Sequence, residues 1–192
     1  MLSRYILPLA LVLAAPAALA DWQLDNGGSS VDFISVKKST VGEVHHFKQL
    51  SGTITEGGDA SVDIDLASVE TNIPIRNERL QKLLFETAKF PKASIHTSVD
   101  AKKLKAMQAG ETFVTDADLT LSLHNSEKTL KTRLRVVKLA GDRLQVSTAD
   151  PIILHAGDYG LAQGVEKLRE IAGLPSISPV VPVVATLVFD HK

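Results

Sequence analysis

The longest strict alternation of apolar and polar residues runs over residues 113–123, and it constrains the fold more than any other feature. One face is mostly apolar and holds Phe113, Thr115, Ala117, Leu119, Leu121 and Leu123. The opposite face is mostly polar and holds Val114, Asp116, Asp118, Thr120, Ser122 and His124. Since successive side chains of a β-strand point to opposite faces, this predicts a strand with one dry and one wet face. A turn over residues 125–128 and a second alternating run over residues 130–139 predict an antiparallel return strand.

Further alternating runs predict an all-β chain of about eight antiparallel strands with two short helical insertions. The other expected strands are residues 31–37, 50–55, 60–66, 93–100, 144–149, 151–155 and 182–189. Residues 25–30 are expected to form a turn, and residues 41–49 form a polar segment to which the pattern assigns no element. The helical insertions are expected at residues 76–85 and 164–173. Short strands joined by tight turns are typical of a barrel or a sandwich, and the pattern alone leaves both open.

The first 20 residues have the pattern of a signal peptide. Arg4 is followed by an apolar stretch over residues 6–15, and Ala18-Leu19-Ala20 predicts cleavage before Asp21. The stretch is shorter than the roughly 20 residues of a membrane span, so an uncleaved anchor is the less favoured alternative. We therefore expect a signal peptide over residues 1–20, one barrel domain over residues 21–192, no stable membrane span, and a periplasmic or secreted location.

Composition excludes several classes of function. The chain has no cysteine, which excludes disulfides, thiol redox chemistry and cysteine metal ligands. The formal net charge is −1 and there is no long run of one sign, so nucleic acid is not an expected partner. A domain of this length buries roughly 70% of its unfolded-chain surface, so its hydrophobic core can stabilise the fold without disulfides.

Residue patterns for catalysis or metal binding are missing from the sequence. The six histidines lack the local spacing of a zinc site, although convergence of distant histidines stays open. There is no Gly-x-Ser-x-Gly elbow. The paired carboxylates Asp63/Asp65 and Asp116/Asp118 lie on wet strand faces, without the apolar setting that acid–base catalysis needs. We expect no enzyme activity, no metal and no cofactor.

Residues 68–95, between two of the expected strands, carry the most specific pattern of the chain. Asn72, Arg76, Leu80, Phe85 and the pair Phe90-Pro91, at their spacings, resemble the signature of the YceI-like family. Shorter matches in the same order lie at residues 29–33, 47–54, 60–64, 118–121 and 158–161. The resemblance implies a secreted bacterial protein with a lipocalin-like β-barrel of about eight strands, which holds a long isoprenoid or another lipid.

The chain departs from the family pattern near the expected mouth of the pocket. Asn77 and Arg79 stand where many members carry Asp and His, and Leu83-Leu84 precede a single Phe85. The segment 164–177 resembles a subgroup feature. These differences mean that the identity of the ligand does not follow from the resemblance.

We therefore predict a protein that binds, sequesters or carries a lipophilic molecule inside its barrel. The expected ligand-binding residues are Phe33, Val62, Ile64, Leu66, Arg76, Leu80, Phe85, Leu119, Leu121 and Leu123. Arg76 would meet a polar headgroup, or alternatively lie on a solvated helix face or form a structural ion pair with an acid such as Glu70. Three apolar stripes would line a tunnel, or alternatively fill a packed core: Val62/Ile64/Leu66, Leu119/Leu121/Leu123 and Val183/Ala185/Leu187. In the second case the protein would be a non-enzymatic interaction or scaffold protein of the envelope. Pairing of two copies through an exposed face is an open expectation.

Overall fold

The structure is a computed structural model and describes residues 20–192. The signal peptide expected over residues 1–20 lies outside the described residues, apart from Ala20. The described residues form eleven strands: β1 (Ala20–Lys37), β2 (Val41–Phe47), β3 (Leu50–Thr55), β4 (Asp59–Asp65), β5 (Val69–Glu70), β6 (Lys92–Ser98), β7 (Thr112–Leu123), β8 (Ser126–Lys138), β9 (Leu144–Thr148), β10 (Ile152–His155) and β11 (Val180–His191).

Short helical segments connect the strands. The α-helices are α1 (Pro74–Arg79), α2 (Ala101–Ala106) and α3 (Ala162–Ile171), and a π-helical turn over Leu80–Leu84 continues α1. Single 3₁₀ turns cover Leu66–Ser68, Ala140–Asp142 and Ala156–Tyr159.

Eight of the strands close into an antiparallel barrel. Their order around the barrel is β1-β3-β4-β6-β7-β8-β9-β11, and β11 pairs with β1 to close it. The three remaining strands extend its walls at one end, where β2 pairs with β1, β5 with β2 and β10 with β11. The closed eight-stranded barrel confirms the predicted fold class and decides between barrel and sandwich.

The predicted hairpins form with the expected faces. In β7 the residues Ala117, Leu119, Leu121 and Leu123 are buried, whereas Asp116 and Asp118 are exposed. The return strand β8 begins at Ser126, because His124 and Asn125 make a tight turn with φ of 51° and 60°. Positive φ at both central residues matches the right-handed twist of the flanking strands.

The expected turn at residues 25–30 and most of the polar segment at residues 41–49 are strand in the structure. Residues 25–30 belong to β1, which pairs with β11 on both sides of a bulge between Asp25 and Ser30. The Asp25 carboxylate accepts the Gly27 N–H at 3.0 Å within that bulge. Residues 41–47 form β2, whose polar residue His45 is 3% exposed and points inward beside Phe33.

The outer wall of the barrel differs between its two sides. The outward positions of β4, β6, β7 and β8 are mainly Asp, Ser, Thr, Lys and Arg. On the other side, β1, β2, β10 and β11 present an apolar set, here called the outer apolar face: Ile34, Val36, Val44, Ile153 and Val184. Val44 is 61% exposed and Ile153 is 49% exposed. The described residues do not cover this face.

Candidate functional site

A cavity of about 200 Å³ lies inside the barrel and is lined almost wholly by apolar side chains. The lining comes from the inward positions of the barrel strands and from the segments that cover one end. Lining residues from the strands include Val31, Phe33, Ile54, Ala60, Val62, Ile64, Ala93, Ile95, Leu119, Leu121, Leu123, Leu130, Leu134, Val146, Ile152, Leu154, Val183, Ala185 and Leu187. Polar lining is confined to Thr97, Ser147, Thr148, His155 and Tyr159.

The sequence leaves this space open because several inward positions carry small side chains. Ala60, Ala93 and Ala185 stand at inward positions of three different strands and line the cavity. Aromatic residues make up only 5% of the chain. An eight-stranded barrel is just wide enough to be filled by its own side chains or to hold one small ligand. Small aliphatic side chains at these positions favour the second outcome.

The size of the cavity can be expressed as a free energy of unfolding. An apolar void destabilises a fold by about 24 cal/mol per Å³, so 200 Å³ without an occupant corresponds to about 5 kcal/mol. That is comparable to the whole net stability of a marginal domain, about 5–15 kcal/mol. Burial of a lipophilic ligand would recover this loss, at roughly 0.8 kcal/mol per CH₂. The cavity therefore favours an interior ligand over a fully packed barrel.

Three phenylalanines line one end of the cavity, here called the helical end. The ring centroids of Phe33 and Phe47 are 5.4 Å apart, and those of Phe47 and Phe85 are 5.8 Å apart. Phe85 directly follows the π-helical turn, and its N–H donates to the Leu80 carbonyl at 2.9 Å. The rings make a continuous aromatic contact from β1 through β2 to the turn.

Helix α3 covers the π-helical turn at the helical end. Leu161 and Val165, at the start of α3, line the cavity together with Leu84. Gly164 permits this close approach, since a Cβ there would lie 2.7 Å from the Leu83 carbonyl oxygen and 3.0 Å from the Leu84 Cα. Gly173 ends the helix with a φ of 61°, a conformation in which glycine has no steric penalty.

Arg76 belongs to a polar cluster beside the helical end of the cavity, together with Lys37, Glu43 and Thr71. Its guanidinium donates to the Glu43 carboxylate at 2.9 Å and to the Thr71 carbonyl at 2.7 Å. Lys37 also pairs with Glu43, at 2.6 Å, and this hydrogen bond lowers the pKa of Glu43, assisted by the charge of Arg76. Arg76 thus forms an ion pair, one of the expected alternatives, but its partner is Glu43 and not Glu70, which pairs with Lys48.

His45 lies between the polar cluster and the phenylalanines. Its Nε2 shares a hydrogen bond of 2.8 Å with the Ser35 hydroxyl, and its ring centroid is 5.2 Å from that of Phe33. Burial lowers the pKa of His45, and the nearby Arg76 charge acts in the same direction. The imidazole is therefore neutral at pH 7, which suits its position beside an apolar ring.

The structure places most of the predicted site residues on the cavity. Its walls include Phe33, Val62, Ile64, Leu66, Phe85, Leu119, Leu121 and Leu123. Leu80 and Arg76 do not line the cavity: Leu80 is buried where the π-helical turn begins, and Arg76 lies in the polar cluster. Contact of any of these residues with a ligand stays a prediction.

Sequence reasoning missed several cavity residues that come from β8 and from the turn before α3. Leu130 and Leu134 belonged to a strand that was predicted, so their alternation could have identified them. Tyr159 and Leu161 line the cavity from a turn, where no periodicity points inward. Only the covering of the barrel end by α3 brings them to the site.

Among residues 20–192, no three His, Asp or Glu side chains converge as metal ligands would. None of the helices that the structure describes is long and apolar enough to cross a membrane.

Known proteins match this chain over the whole length of the barrel. The sequence model of the YceI-like domain matches residues 22–189. A solved polyisoprenoid binding domain from Saccharophagus degradans, implicated in plant cell wall breakdown, shares 37% identity and a TM-score of 0.89, covering 91% of this chain and 100% of that one. No curated protein matches the chain.

More distant structures share the fold. BcnA of Burkholderia cenocepacia is 18% identical with a TM-score of 0.66, covering 86% of this chain and 98% of that one. A YCEI protein of Campylobacter jejuni is 15% identical with a TM-score of 0.51, covering 77% and 84%.

Proposed function

This chain belongs to the YceI-like family, and on that premise we propose that it binds a long lipophilic ligand, an isoprenoid or a similar lipid, inside its barrel. The observation that carries the proposal is the apolar cavity of about 200 Å³ that runs between inward-facing aliphatic side chains. The similar domain from Saccharophagus degradans, described as polyisoprenoid binding, supports an isoprenoid as the ligand class.

The proposed mechanism is burial of apolar surface without a chemical step. Each CH₂ of a ligand that leaves water contributes roughly 0.8 kcal/mol, so several isoprene units bind tightly without a precise polar site. The protein would sequester or carry its ligand, and the proposal assigns it no catalytic residue. A scaffold role for a packed barrel is the weaker alternative, because the cavity leaves the interior unfilled.

Titration with an isoprenoid series tests the proposal. Alcohols of 10, 15 and 20 carbons are added to the full mature protein, and binding is measured by calorimetry. Affinity should rise with chain length, since longer chains bury more apolar surface. Absence of binding across the series would overturn the proposal.

Export to the periplasm is part of the proposal and rests on the sequence of residues 1–20. A lipid carrier with a cleaved signal peptide would start at Asp21 and act in the cell envelope. Fractionation followed by N-terminal sequencing tests this, and a mature protein that keeps residues 1–20 or stays in the cytoplasm would contradict it.

We also propose that two copies pair through the outer apolar face. The face has β-branched aliphatic side chains with Asp32 and His46 among them, and it has none of the Trp, Phe, Tyr, Lys or Arg residues that membrane-binding surfaces combine. Flat faces of this kind pack against another sheet. Three strands of six residues and one of four, β10, give about 350 Å², enough for the apolar centre of an interface of about 800 Å² per partner.

A further inference from the structure

The barrel wall has an incomplete seam between β8 and β10. Strand β8 pairs with β7 over almost its whole length, but it pairs with β9 only over residues 134–138. Strand β10 pairs with β11. The Ala149 N–H donates to the Arg133 carbonyl at 2.8 Å, and beyond that bond the described residues form no ladder between the first half of β8 and β10. The wall is therefore closed there by side chains alone.

Two side chains at the seam separate the cavity from an outer groove. Leu130 of β8 and Ile152 of β10 line the interior cavity, and both also line a groove of about 940 Å³ on the outside. Both are only partly buried, whereas Leu134, four residues further along β8 on the same face, is 5% exposed. Rotation of these two side chains would connect the cavity with the groove.

A connection at the seam would enlarge the space available to a long chain. Pockets for drug-sized ligands have volumes of about 300–1,000 Å³, and the cavity has about 200 Å³. A hydrogen-bonded ladder resists widening because each separated pair loses its backbone bonds, about 1 kcal/mol each. The seam has only the bond between Ala149 and Arg133 to lose, so it opens at a low cost in backbone hydrogen bonds.

One ion pair crosses the seam and holds it weakly. The Arg133 guanidinium donates to the Asp150 carboxylate at 2.8 Å, and both side chains are more than half exposed. Exposed ion pairs of this kind have little effect on stability, because water and salt screen them. Arg133 and Asp150 thus lie at the rim of the outer groove and contribute little to keeping the seam closed.

The charges around the groove carry a net negative sign. Its rim holds the carboxylates of Asp116, Asp118 and Asp150 against the cations Lys131 and Arg133. Lys131 pairs with Asp118 at 3.1 Å, and Arg133 with Asp150, so both cations already have a partner. An anionic headgroup would meet this excess of carboxylates.

An uncharged headgroup finds suitable partners in the same groove. The hydroxyls of Thr129 and Thr132 line it and can donate or accept hydrogen bonds. At the other candidate position, Arg76 donates to Glu43 and to the Thr71 carbonyl. The Arg76 Nε has no hydrogen-bond partner among the described residues, but it is buried, so a headgroup would have to enter the polar cluster to reach it.

We infer that the seam between β8 and β10 is a lateral portal, where the ligand's uncharged polar headgroup rests in the outer groove while its apolar chain occupies the cavity. This inference rests on the proposed function and adds to it the position and the charge class of the headgroup.

Photo-crosslinking tests the position. The probe is geranylgeraniol with a diazirine next to its hydroxyl, bound to the full mature protein, irradiated, digested and mapped by mass spectrometry. Adducts should fall within residues 129–133 and 150–153. Adducts within residues 43–47 or 71–85 would overturn the portal while leaving lipid binding intact. Failure of the probe to bind would instead remove the proposed function and the inference together.

A charge substitution tests the headgroup class. Asp150→Asn removes a rim carboxylate and releases Arg133, so the affinity for geranylgeranyl phosphate relative to geranylgeraniol should rise about two- to fivefold, the range of an exposed ion pair. Glu56→Gln is the matched control, because it removes the same charge from an exposed residue that pairs with Lys105 of α2. An equal change of the affinity ratio in both variants would overturn the assignment.

Discussion

Ala185 illustrates at the scale of a residue how the cavity is maintained. It lies at an inward position of β11 and lines the cavity, while its neighbour Val184 is 37% exposed on the outer wall. Larger side chains at such inward positions would fill the space that a ligand needs. The cavity thus exists at the expense of stability, which is a common feature of binding sites.

Ala185→Leu should therefore raise stability and lower ligand affinity together. The added carbons fill part of the cavity, and about 1–2 kcal/mol of stabilisation corresponds to a melting temperature about 3–6 °C higher. Isoprenoid affinity should fall at least about tenfold. Thermal unfolding and calorimetric titration measure the two effects.

Val184→Leu serves as the control for Ala185→Leu, because it enlarges the neighbouring side chain on the outer wall. It should leave affinity unchanged. If Ala185→Leu also binds isoprenoids as the parent does, the ligand does not occupy this cavity.

Glu70 couples stability to pH. Its carboxylate accepts hydrogen bonds from the Asn77 side chain at 2.9 Å and the Asn72 N–H at 2.6 Å, and it pairs with Lys48. These donors, Asn77 foremost, lower the pKa of Glu70 from 4.5 to about 2. Because the folded-state pKa lies below the unfolded value, this stabilisation is complete above pH 4.5 and is lost as pH falls towards 2.

Glu70→Gln should lower the urea midpoint at pH 7, and its stability should decline less than that of the parent between pH 4.5 and 2. Urea unfolding at a series of pH values measures both. Glu78→Gln removes an exposed carboxylate of α1 and should keep the parent's decline. A decline in Glu70→Gln as steep as in the parent would show that Glu70 does not cause it.

The inward strand residues could be predicted from sequence, but the partner of Arg76 could not. Val62, Ile64 and Leu121 follow strict alternation, so the sequence predicts that each lies on the inward face of its strand. Glu43 is 33 residues before Arg76 and lies on a strand that the sequence did not reveal. Pairing of residues this far apart depends on tertiary structure, which local periodicity does not encode.

At the scale of elements, the packing of α3 on the π-helical turn decides how the helical end is closed. Gly164→Ala would place a methyl group 2.7 Å from the Leu83 carbonyl oxygen. Overpacking of this kind destabilises by about 1–3 kcal/mol, which outweighs the gain of up to about 1 kcal/mol in helix propensity. We expect a lower melting temperature and faster ligand release, measured by thermal unfolding and by stopped-flow fluorescence.

Gly157→Ala is the matched control for Gly164→Ala, since a Cβ at Gly157 meets nothing within 4 Å. Its stability should stay within about 0.5 kcal/mol of the parent. Equal behaviour of both variants would show that α3 does not depend on this close approach.

The outer apolar face gives a prediction about assembly. Val44 is the most exposed residue of this face, at 61%. Val44→Lys should shift a dimer to monomer in light scattering at micromolar concentration, because a buried lysine without a partner is costly. Ser61→Lys, on the polar wall at β4, should leave the mass unchanged. A parent protein that is monomeric at these concentrations would contradict the pairing.

Element-level prediction was good where turns and periodicity agree and poor where bulges occur. The hairpin of β3 and β4 and the helix α3 formed as predicted, because each combines a regular period with a turn signal. The segment 25–30 reads as a turn from its composition, but its pairing with β11 keeps it in the sheet. Such a bulge is fixed by a partner strand about 160 residues away, beyond the reach of local signals.

At the scale of the whole molecule, closure of the barrel depends on the pairing of β1 with β11. This contact joins Trp22 to His191 and Phe33 to Val183, nearly the full length of the domain apart. Alternation gives the faces of strands but does not say whether the last strand meets the first. The family resemblance supplied this information, which the residue pattern alone left open.

The size of the cavity could not be read from the sequence either. Inward aliphatic stripes such as Leu119, Leu121 and Leu123 are equally compatible with a packed core. Only the sum of side-chain volumes against the barrel interior decides, and that sum depends on every strand. The structure gives about 200 Å³, which makes an interior ligand the central claim.

Native mass spectrometry tests that claim most directly. The protein is purified from its producing cells without detergent, and its mass is compared with that of the Ala185→Leu variant. We predict a reproducible added mass on the parent, recovered in an organic extract as an isoprenoid or similar lipid, and a reduced fraction of it on the variant. A parent protein that carries no added mass and takes up none from supplied isoprenoids would contradict the account.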